Sequence, residues 1–171
     1  MNEVSKILPG DMDKDVNIFF TDKHILFEFD QTTVVSRLIE GDYLKIDNIL
    51  SADYETKVKI NKKEFQSCID RSTLLVKEGE KKPLILNILD EVMELKMNSV
   101  VGSLNEEIDI TKMGKDLMIG FDPKFLIDAL KVIDDEEVEI KLLNSKSPCF
   151  IKDDEENYTY LILPVTFNSS N

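Results

Sequence analysis

The chain has 171 residues, of which 42% are hydrophobic and 32% charged, and its formal net charge is −13 at pH 7. This length suits one domain or one and a half, and the hydrophobic content is sufficient for a buried core. So acidic a balance, taken alone, argues against a protein that wraps nucleic acid, because phosphate binding requires a basic footprint.

The first 50 residues are predicted to form one helix and three strands. Residues 1–9 carry one apolar helical face and end at a proline-glycine pair. Val16–Phe20 and His24–Phe29 are predicted strands, the second because apolar and polar residues alternate in it. Thr32–Ile39 is a third strand, rich in β-branched residues. Residues 41–51 show no periodicity and are predicted to be a connector.

From residue 55 the chain is predicted to form the same β-α-β-β-β unit twice. Lys62–Leu75 has apolar residues at helical spacing, and Asp122 followed by Pro123 is a good start for a second helix. The starts lie about 60 residues apart, and Phe65 and Phe125 fall at equivalent places. This duplication predicts an α+β fold, in which the first 50 residues are the back half of another such pair. The predicted strands are residues 57–60, 83–89, 91–98, 101–110, 117–120, 136–142, 148–153 and 158–164.

The last strand runs into an unusual tail. Four residues, Tyr160-Leu161-Ile162-Leu163, lead directly into Pro164, and two more apolar positions follow it. Proline ends a strand because it cannot donate to the sheet ladder. Since chain ends are usually polar, apolar residues beyond the proline indicate a docking surface. Alternation predicts that about half of residues 161–163 face the core.

The residues that catalyse reactions or bind metals are few. Cys68 and Cys149 lack metal-site spacing, which favours free thiols in a cytoplasmic protein over a disulfide. The single histidine, His24, has no nucleophile or metal partner near it in sequence. We find no phosphate loop, dinucleotide fingerprint, nucleophile elbow, signal peptide or membrane span. The acidic runs at 134–137 and 153–156 do not fit a calcium loop. We therefore predict a non-catalytic protein with no metal and no cofactor.

Three segments together resemble the bacterial sliding clamp family, the beta subunit of DNA polymerase III. They are Val35-Ser36-Arg37-Leu38-Ile39-Glu40-Gly41, Ile119-Gly120-Phe121-Asp122 and Tyr160-Leu161-Ile162-Leu163-Pro164. The resemblance covers nearly the whole chain and implies the DNA-clamp fold, whose domains are duplicated units with two helices on one face. A full clamp subunit has three domains, so the chain is expected to be a C-terminal fragment. Residues 1–52 would be the C-terminal half of the middle domain with its connector, and residues 53–171 the third domain.

The resemblance also implies a function. Clamps are processivity factors that encircle duplex DNA topologically and tether DNA polymerase subunits, the clamp loader and repair proteins through a short apolar peptide motif. Carried over position by position, the groove for that peptide would comprise Leu44, Asn48, Ile49, Asp122, Phe125, Lys146, Pro148, Leu161, Ile162, Leu163, Pro164 and Val165. The chain departs from the family at Leu44, where proline is frequent, and at Asn48 and Thr166, where a basic residue is frequent.

Two further surfaces follow from the same resemblance. The helices would face DNA through Lys6, Lys62, Lys63, Arg71, Lys124 and Lys131, although ordinary solvated helix charge explains each of these residues equally well. A sliding ring should be weakly basic inside and acidic outside, where the two acidic runs are expected. Leu74 and Leu75 match the segment that closes the ring between subunits. Full-length members are head-to-tail homodimers, whereas this fragment is predicted to be monomeric.

Two alternatives compete with the clamp interpretation. The first is a standalone peptide-binding or assembly module unrelated to DNA, and the second is a metal-dependent hydrolase. Basic residues that share one face with the helices favour the clamp, and scattered basic residues favour the module. A hydrolase requires the acidic runs to converge in a pocket.

Overall fold

The chain divides into two compact units, Met1–Ile49 and Leu50–Asn171. The predicted boundary after residue 52 lies close to this division, and most of the predicted connector falls outside the described residues. None of the helices in the described ranges is long and apolar enough to cross a membrane. The computed structural model describes residues 2–8, 15–42, 53–77, 79–152 and 158–167.

Among its described residues, 2–8 and 15–42, the first unit has one helix and a three-stranded antiparallel sheet, ordered β1-β2-β3. Val4 of the helix packs with Phe27 and Phe29 of the sheet in a small core. The third strand ends before the predicted Ile39, because Arg37 already pairs with the first residue of the second strand. Its elements are α1 (Asn2–Ile7), β1 (Asn17–Phe20), β2 (His24–Phe29) and β3 (Thr32–Arg37).

The second unit contains the β-α-β-β-β unit twice, which confirms the predicted duplication and the α+β class. The first copy comprises β4 (Thr56–Asn61), α2 (Lys62–Thr73), β5 (Leu84–Ile88), β6 (Val92–Asn98) and β7 (Ser103–Gly114). The second comprises β8 (Leu117–Phe121), α3 (Pro123–Leu130), β9 (Glu137–Leu142), β10 (Cys149–Lys152) and β11 (Thr159–Ile162).

The two copies exchange their leading strands. β4 of the first copy pairs with β9 of the second, and β8 of the second copy pairs with β5 of the first. The strand order is therefore β11-β10-β9-β4-β7-β6-β5-β8, antiparallel throughout. Strands of both copies and both helices contribute to one core, in which Phe65 and Phe121 are the largest fully buried side chains. Cys68 and Cys149 are both free and buried in this core, as predicted.

The helices begin in the same way. Asn61 caps α2 by accepting a hydrogen bond from the Glu64 backbone N–H, and Asp122 caps α3 by accepting one from Lys124 N–H. Aligning the two caps pairs buried Phe65 with buried Leu126, not with Phe125. The predicted equivalence of Phe65 and Phe125 is therefore wrong by one residue. Phe125 instead matches Glu64, a position that faces solvent in both copies.

The tail beyond β11 returns to the sheet. Pro164 ends the pairing with β10, and the Val165 N–H then donates to the Gly120 carbonyl of β8 at 2.8 Å. A Cβ on Gly120 would lie 2.7 Å from Cδ1 of Phe167 and 3.1 Å from the Val165 carbonyl oxygen. Glycine at this buried position thus permits a close approach of the tail to β8. The apolar residues after the proline are in part a continuation of the sheet.

Candidate functional site

The tail and the start of α3 enclose three adjoining cavities, which we call the tail groove. Phe125 lines both the first and second cavities, and Val165 and Thr166 line both the second and third. The first, of about 340 Å³, is lined by Phe125, Asp128, Ala129, Tyr160, Leu161, Ile162 and Leu163. The second, of about 280 Å³, is lined by Lys81, Lys82, Pro83, Asp122, Phe125, Val165 and Thr166. The third, of about 550 Å³, is lined by Met118, Ser145, Lys146, Pro164, Val165, Thr166 and Phe167.

The apolar wall of the first cavity is formed mainly by side chains that are exposed to solvent and not packed in the core. Phe125 is 56% exposed and Leu163 is 65% exposed, whereas Ile162 between the leucines is buried. Strand alternation accounts for this pattern, as predicted, since only Ile162 points into the core. An exposed phenylalanine at a position where the other repeat has a glutamate indicates a binding surface rather than a packing requirement.

The polar edge of the tail groove comes from loops that local hydrogen bonds hold in place. The Asn144 side chain accepts hydrogen bonds from the backbone N–H groups of Lys146 and Ser147, both at 2.9 Å. This turn presents the exposed Lys146 at the third cavity. On the opposite side, the carboxylate of Asp122 is engaged as the cap of α3. The tail groove therefore combines an apolar wall with a few charged groups at its rim.

The predicted groove residues are largely brought together. Asp122, Phe125, Lys146 and the whole segment 161–165 line one or more of the three cavities. Pro148 is half-buried in the loop before β10 and lines none of them. Leu44, Asn48 and Ile49 lie outside the described residues.

Sequence reasoning missed several lining residues. The most informative are Lys81 and Lys82, which come from the segment before β5 and lie far from the tail in sequence. The available signal was their pairing as consecutive bases in a chain of net charge −13. Asp128, Met118 and Ser145 carry no comparable signal, because only tertiary packing brings them beside the tail.

The predicted DNA-facing residues lie mostly on the helices. In the second unit, α2 packs against α3, and the Lys62 ammonium donates to the Ile133 carbonyl just beyond the end of α3. This bond brings the basic start of α2 beside Lys131. Lys63 and Lys124 are exposed. In the first unit, Lys6 is also exposed and forms an ion pair with Glu3 at 2.7 Å.

The guanidinium of Arg71, another predicted DNA contact, is strongly engaged within the protein. Its Nε donates to Oε1 of Glu106 at 2.7 Å, and the Cys68 thiol donates to Oε2 of the same carboxylate at 2.7 Å. The hydrogen bond from Arg71 is the main cause that lowers the pKa of Glu106. Burial first, and then the bond to Glu106, raises the pKa of Cys68 to about 12. These contacts fasten α2 to β7 and occupy N–H donors of Arg71 that a phosphate would otherwise use.

Leu74 and Leu75 lie beside an open strand edge. Leu74 is 80% exposed, and the Leu75 side chain lies beside Gly102, which precedes β7. Residues 110–114 of β7 pair with β4, but within the described residues the segment 103–109 pairs on one side only, with β6. An exposed leucine next to an unpaired edge is a surface suited to association.

Carboxylates do not gather into a metal site in the described part of the chain, where no group of three His, Cys, Asp or Glu side chains is suitably placed. The acidic residues 134–137 are exposed before and at the start of β9. The second acidic run, at 153–156, lies outside the described residues.

Comparison with known proteins identifies the fold and the family. Residues 47–166 match the family described as DNA polymerase III beta subunit, C-terminal domain. The beta sliding clamp of Staphylococcus epidermidis is 36% identical over 168 residues, covering 96% of this chain and 44% of that protein. The crystal structure of the Bacillus subtilis DNA polymerase sliding clamp matches this chain with a TM-score of 0.80 at 33% identity. The match covers 98% of this chain and 45% of the Bacillus subtilis chain.

A second crystal structure agrees more closely in sequence. It is of a Eubacterium rectale protein provisionally named a DNA polymerase III beta subunit, with 65% identity, a TM-score of 0.83, and coverage of 98% of this chain and 46% of that one. The fold is thus the α+β fold of sliding clamps. The chain belongs to the DNA polymerase III beta subunit family and matches its C-terminal domain. It spans less than half the length of these relatives. Membership agrees with the predicted non-catalytic role.

Proposed function

We propose that the chain is part of a processivity clamp and that its tail groove binds the short apolar peptide motif of polymerases, the clamp loader and repair proteins. The observation that carries this proposal is the exposed apolar wall of Phe125, Leu161 and Leu163 around a cavity of about 340 Å³. Ligand sites of this kind are concave, mostly apolar, and edged by a few polar groups. A replication role would place the protein in the cytoplasm.

The proposed ligand is a peptide with a glutamine, a leucine and a terminal leucine-phenylalanine pair. Burying one apolar side chain contributes roughly 1–3 kcal/mol, so two or three anchors support binding no tighter than about tens of micromolar once the cost of association is included.

The test is titration of a fluorescent peptide against the 171-residue chain and two variants. Leu163→Ala removes a wall residue, and we expect it to weaken binding about fivefold or more. Val132→Ala is the matched control, since Val132 is an apolar residue of nearly equal exposure, 63%, that does not line the tail groove. Equal affinity for the wild type and Leu163→Ala, or no binding at millimolar protein, would rule out the site.

We further propose that duplex DNA is held topologically by the complete ring, with the helices facing it. The segment Lys62–Thr73 carries three basic and two acidic residues, whereas the whole chain has a net charge of −13. This helix is therefore weakly basic in an acidic protein, which suits loose contact with phosphates. The 171-residue chain should bind DNA only weakly and with strong salt dependence. A submicromolar dissociation constant at physiological salt would instead identify a direct DNA binder.

For assembly, we propose that the surface of Leu74, Leu75 and the edge of β7 docks on another subunit of the head-to-tail ring. The 171-residue chain, which corresponds to only part of the family's length, is then expected to be monomeric at micromolar concentration. A weak self-contact through the same exposed surface should appear as the concentration rises.

A further inference from the structure

We propose that the tail groove selects peptides that carry acidic residues beside the apolar motif, at the end that lies over Val165 and Thr166. This inference rests on the proposed peptide-binding function and adds the chemistry of the preferred partner. Lys81 and Lys82 line the second cavity, and Lys146 lines the third. Thr166 lines both cavities, so three lysines from two different loops surround the same stretch of the tail.

These lysines differ from those on the sheet. Lys57, Lys59, Lys96 and Lys112 each form an ion pair with a carboxylate on the same strand, a neighbouring strand or an adjacent turn. By contrast, the ammonium groups around the tail groove have no carboxylate within 4.0 Å among the described residues. Since most strand lysines of this acidic protein are paired, lysines at a concave site that have no carboxylate partner among the described residues are available to a ligand.

The rim is also polarised along its length. Asp128 lines the first cavity, at the end formed by Phe125 and residues 161–163. The other carboxylate of the rim, Asp122, is turned to the backbone of α3, where it accepts a hydrogen bond from Lys124 N–H at 3.0 Å. One end of the tail groove therefore carries the Asp128 carboxylate, which has no ion pair within the described part of the chain, and the opposite end carries the lysines. A bound peptide should place its acidic residues over the second and third cavities only.

The size of the preference follows from the exposure of the lysines. Ion pairs at exposed sites are individually weak and are screened by salt. Two such pairs should improve affinity about three- to tenfold at low salt, and the gain should shrink at physiological salt. The apolar anchors would thus set whether a peptide binds, and the lysines would set which of several similar peptides binds best.

The experiment uses five synthetic peptides with one shared apolar motif. Four carry two aspartates or two lysines before the motif or after it, and the fifth carries serines at both ends. Each is titrated against the wild-type chain and against the double variant Lys81→Glu/Lys82→Glu. The matched control is Lys63→Glu/Lys131→Glu, which changes the net charge equally at the helix surface. Leu163→Ala tests the groove itself with the serine peptide.

We expect one aspartate peptide to bind about three- to tenfold more tightly than the serine peptide, and its lysine counterpart to bind more weakly. The gain should disappear in Lys81→Glu/Lys82→Glu and persist in the helix control. Equal affinities of the serine and aspartate peptides would overturn the inference, and so would an equal loss of the gain in both double variants. If Leu163→Ala still weakens binding of the serine peptide in that case, the proposed groove itself stands. Absence of binding by every peptide would overturn the function and the inference together.

Discussion

Replacing Gly120 with alanine should separate the tail from β8. The new Cβ would lie 2.7 Å from Cδ1 of Phe167 and 3.1 Å from the Val165 carbonyl oxygen, both closer than ordinary van der Waals contact. The Phe167 ring can move away, but the Val165 oxygen belongs to a backbone that is tied to Gly120 itself by the 2.8 Å hydrogen bond. The tail must therefore shift as a whole.

The magnitude follows from these contacts. Overpacking in a well-packed region costs about 1–3 kcal/mol, and loss of the bond from Val165 N–H adds about 1 kcal/mol. We expect Gly120→Ala to lower the free energy of unfolding by about 2–4 kcal/mol. Since Val165 lines two of the three cavities, peptide affinity should fall about tenfold, equivalent to about 1.4 kcal/mol.

Urea denaturation and peptide titration measure the two effects. Phe167→Ala removes the nearest clash. In that background Gly120→Ala should therefore cost at least about 1 kcal/mol less unfolding free energy than it does in the wild type, a coupling that a double-mutant cycle measures. Rescue should be incomplete, because the contact with the Val165 oxygen remains. Wild-type stability and affinity in Gly120→Ala would refute the close approach of the tail, and strict additivity would refute the role of the Phe167 ring.

Three further outcomes are expected. Replacing Leu74 and Leu75 with glutamate should suppress concentration-dependent association in sedimentation velocity and preserve the fold; a dimer that survives this change at low micromolar protein would contradict the assembly proposal. Both buried thiols have folded-state pKa values raised from about 9.0 to about 12. The stability that they contribute is therefore complete below pH 9 and is lost as the pH rises towards 12. Both thiols should resist a thiol reagent at pH 8 until urea unfolds the chain. The lowered pKa of Glu106 contributes stability above its ordinary value of 4.5 that disappears as the pH falls; Glu106→Gln should therefore destabilise the protein at pH 7 and much less at pH 3, and equal effects at both would contradict the ion pair.

Local patterns in the sequence were sufficient for the elements and the repeat. Asp122 and Pro123 specify the start of α3 through a side-chain cap and a fixed φ, which depend on neighbouring residues alone. The helical spacing of apolar residues wrongly aligned Phe125 with the buried Phe65, because an exposed apolar residue at a helical position can have the same spacing as a buried one. Only the packing of α3 distinguishes Leu126, which is buried, from Phe125, which is not.

The candidate site was predictable only where it is contiguous in the chain. The tail segment 161–165 was found from its own composition and its family resemblance. Lys81 and Lys82 were not, since they reach the tail groove through the pairing of β5 with β8, which places the segment before β5 beside the segment after β8. Such pairing joins residues far apart in sequence, and strand propensity does not reveal which strands will be neighbours.

The exchange of leading strands has a consequence for how the protein is made. A nascent chain that has released the first repeat holds a β4 without β9 and a β5 without β8, because both partners belong to sequence not yet synthesised. Neither repeat can therefore complete its sheet during translation of the first half. β5 should gain its partner β8 once Phe121, the end of β8, has left the ribosome, and β4 its partner β9 only after Leu142, the end of β9, has done so. β10 and β11 add to the sheet later still, and until their partners arrive the open edges of β4 and β5 need protection from other chains.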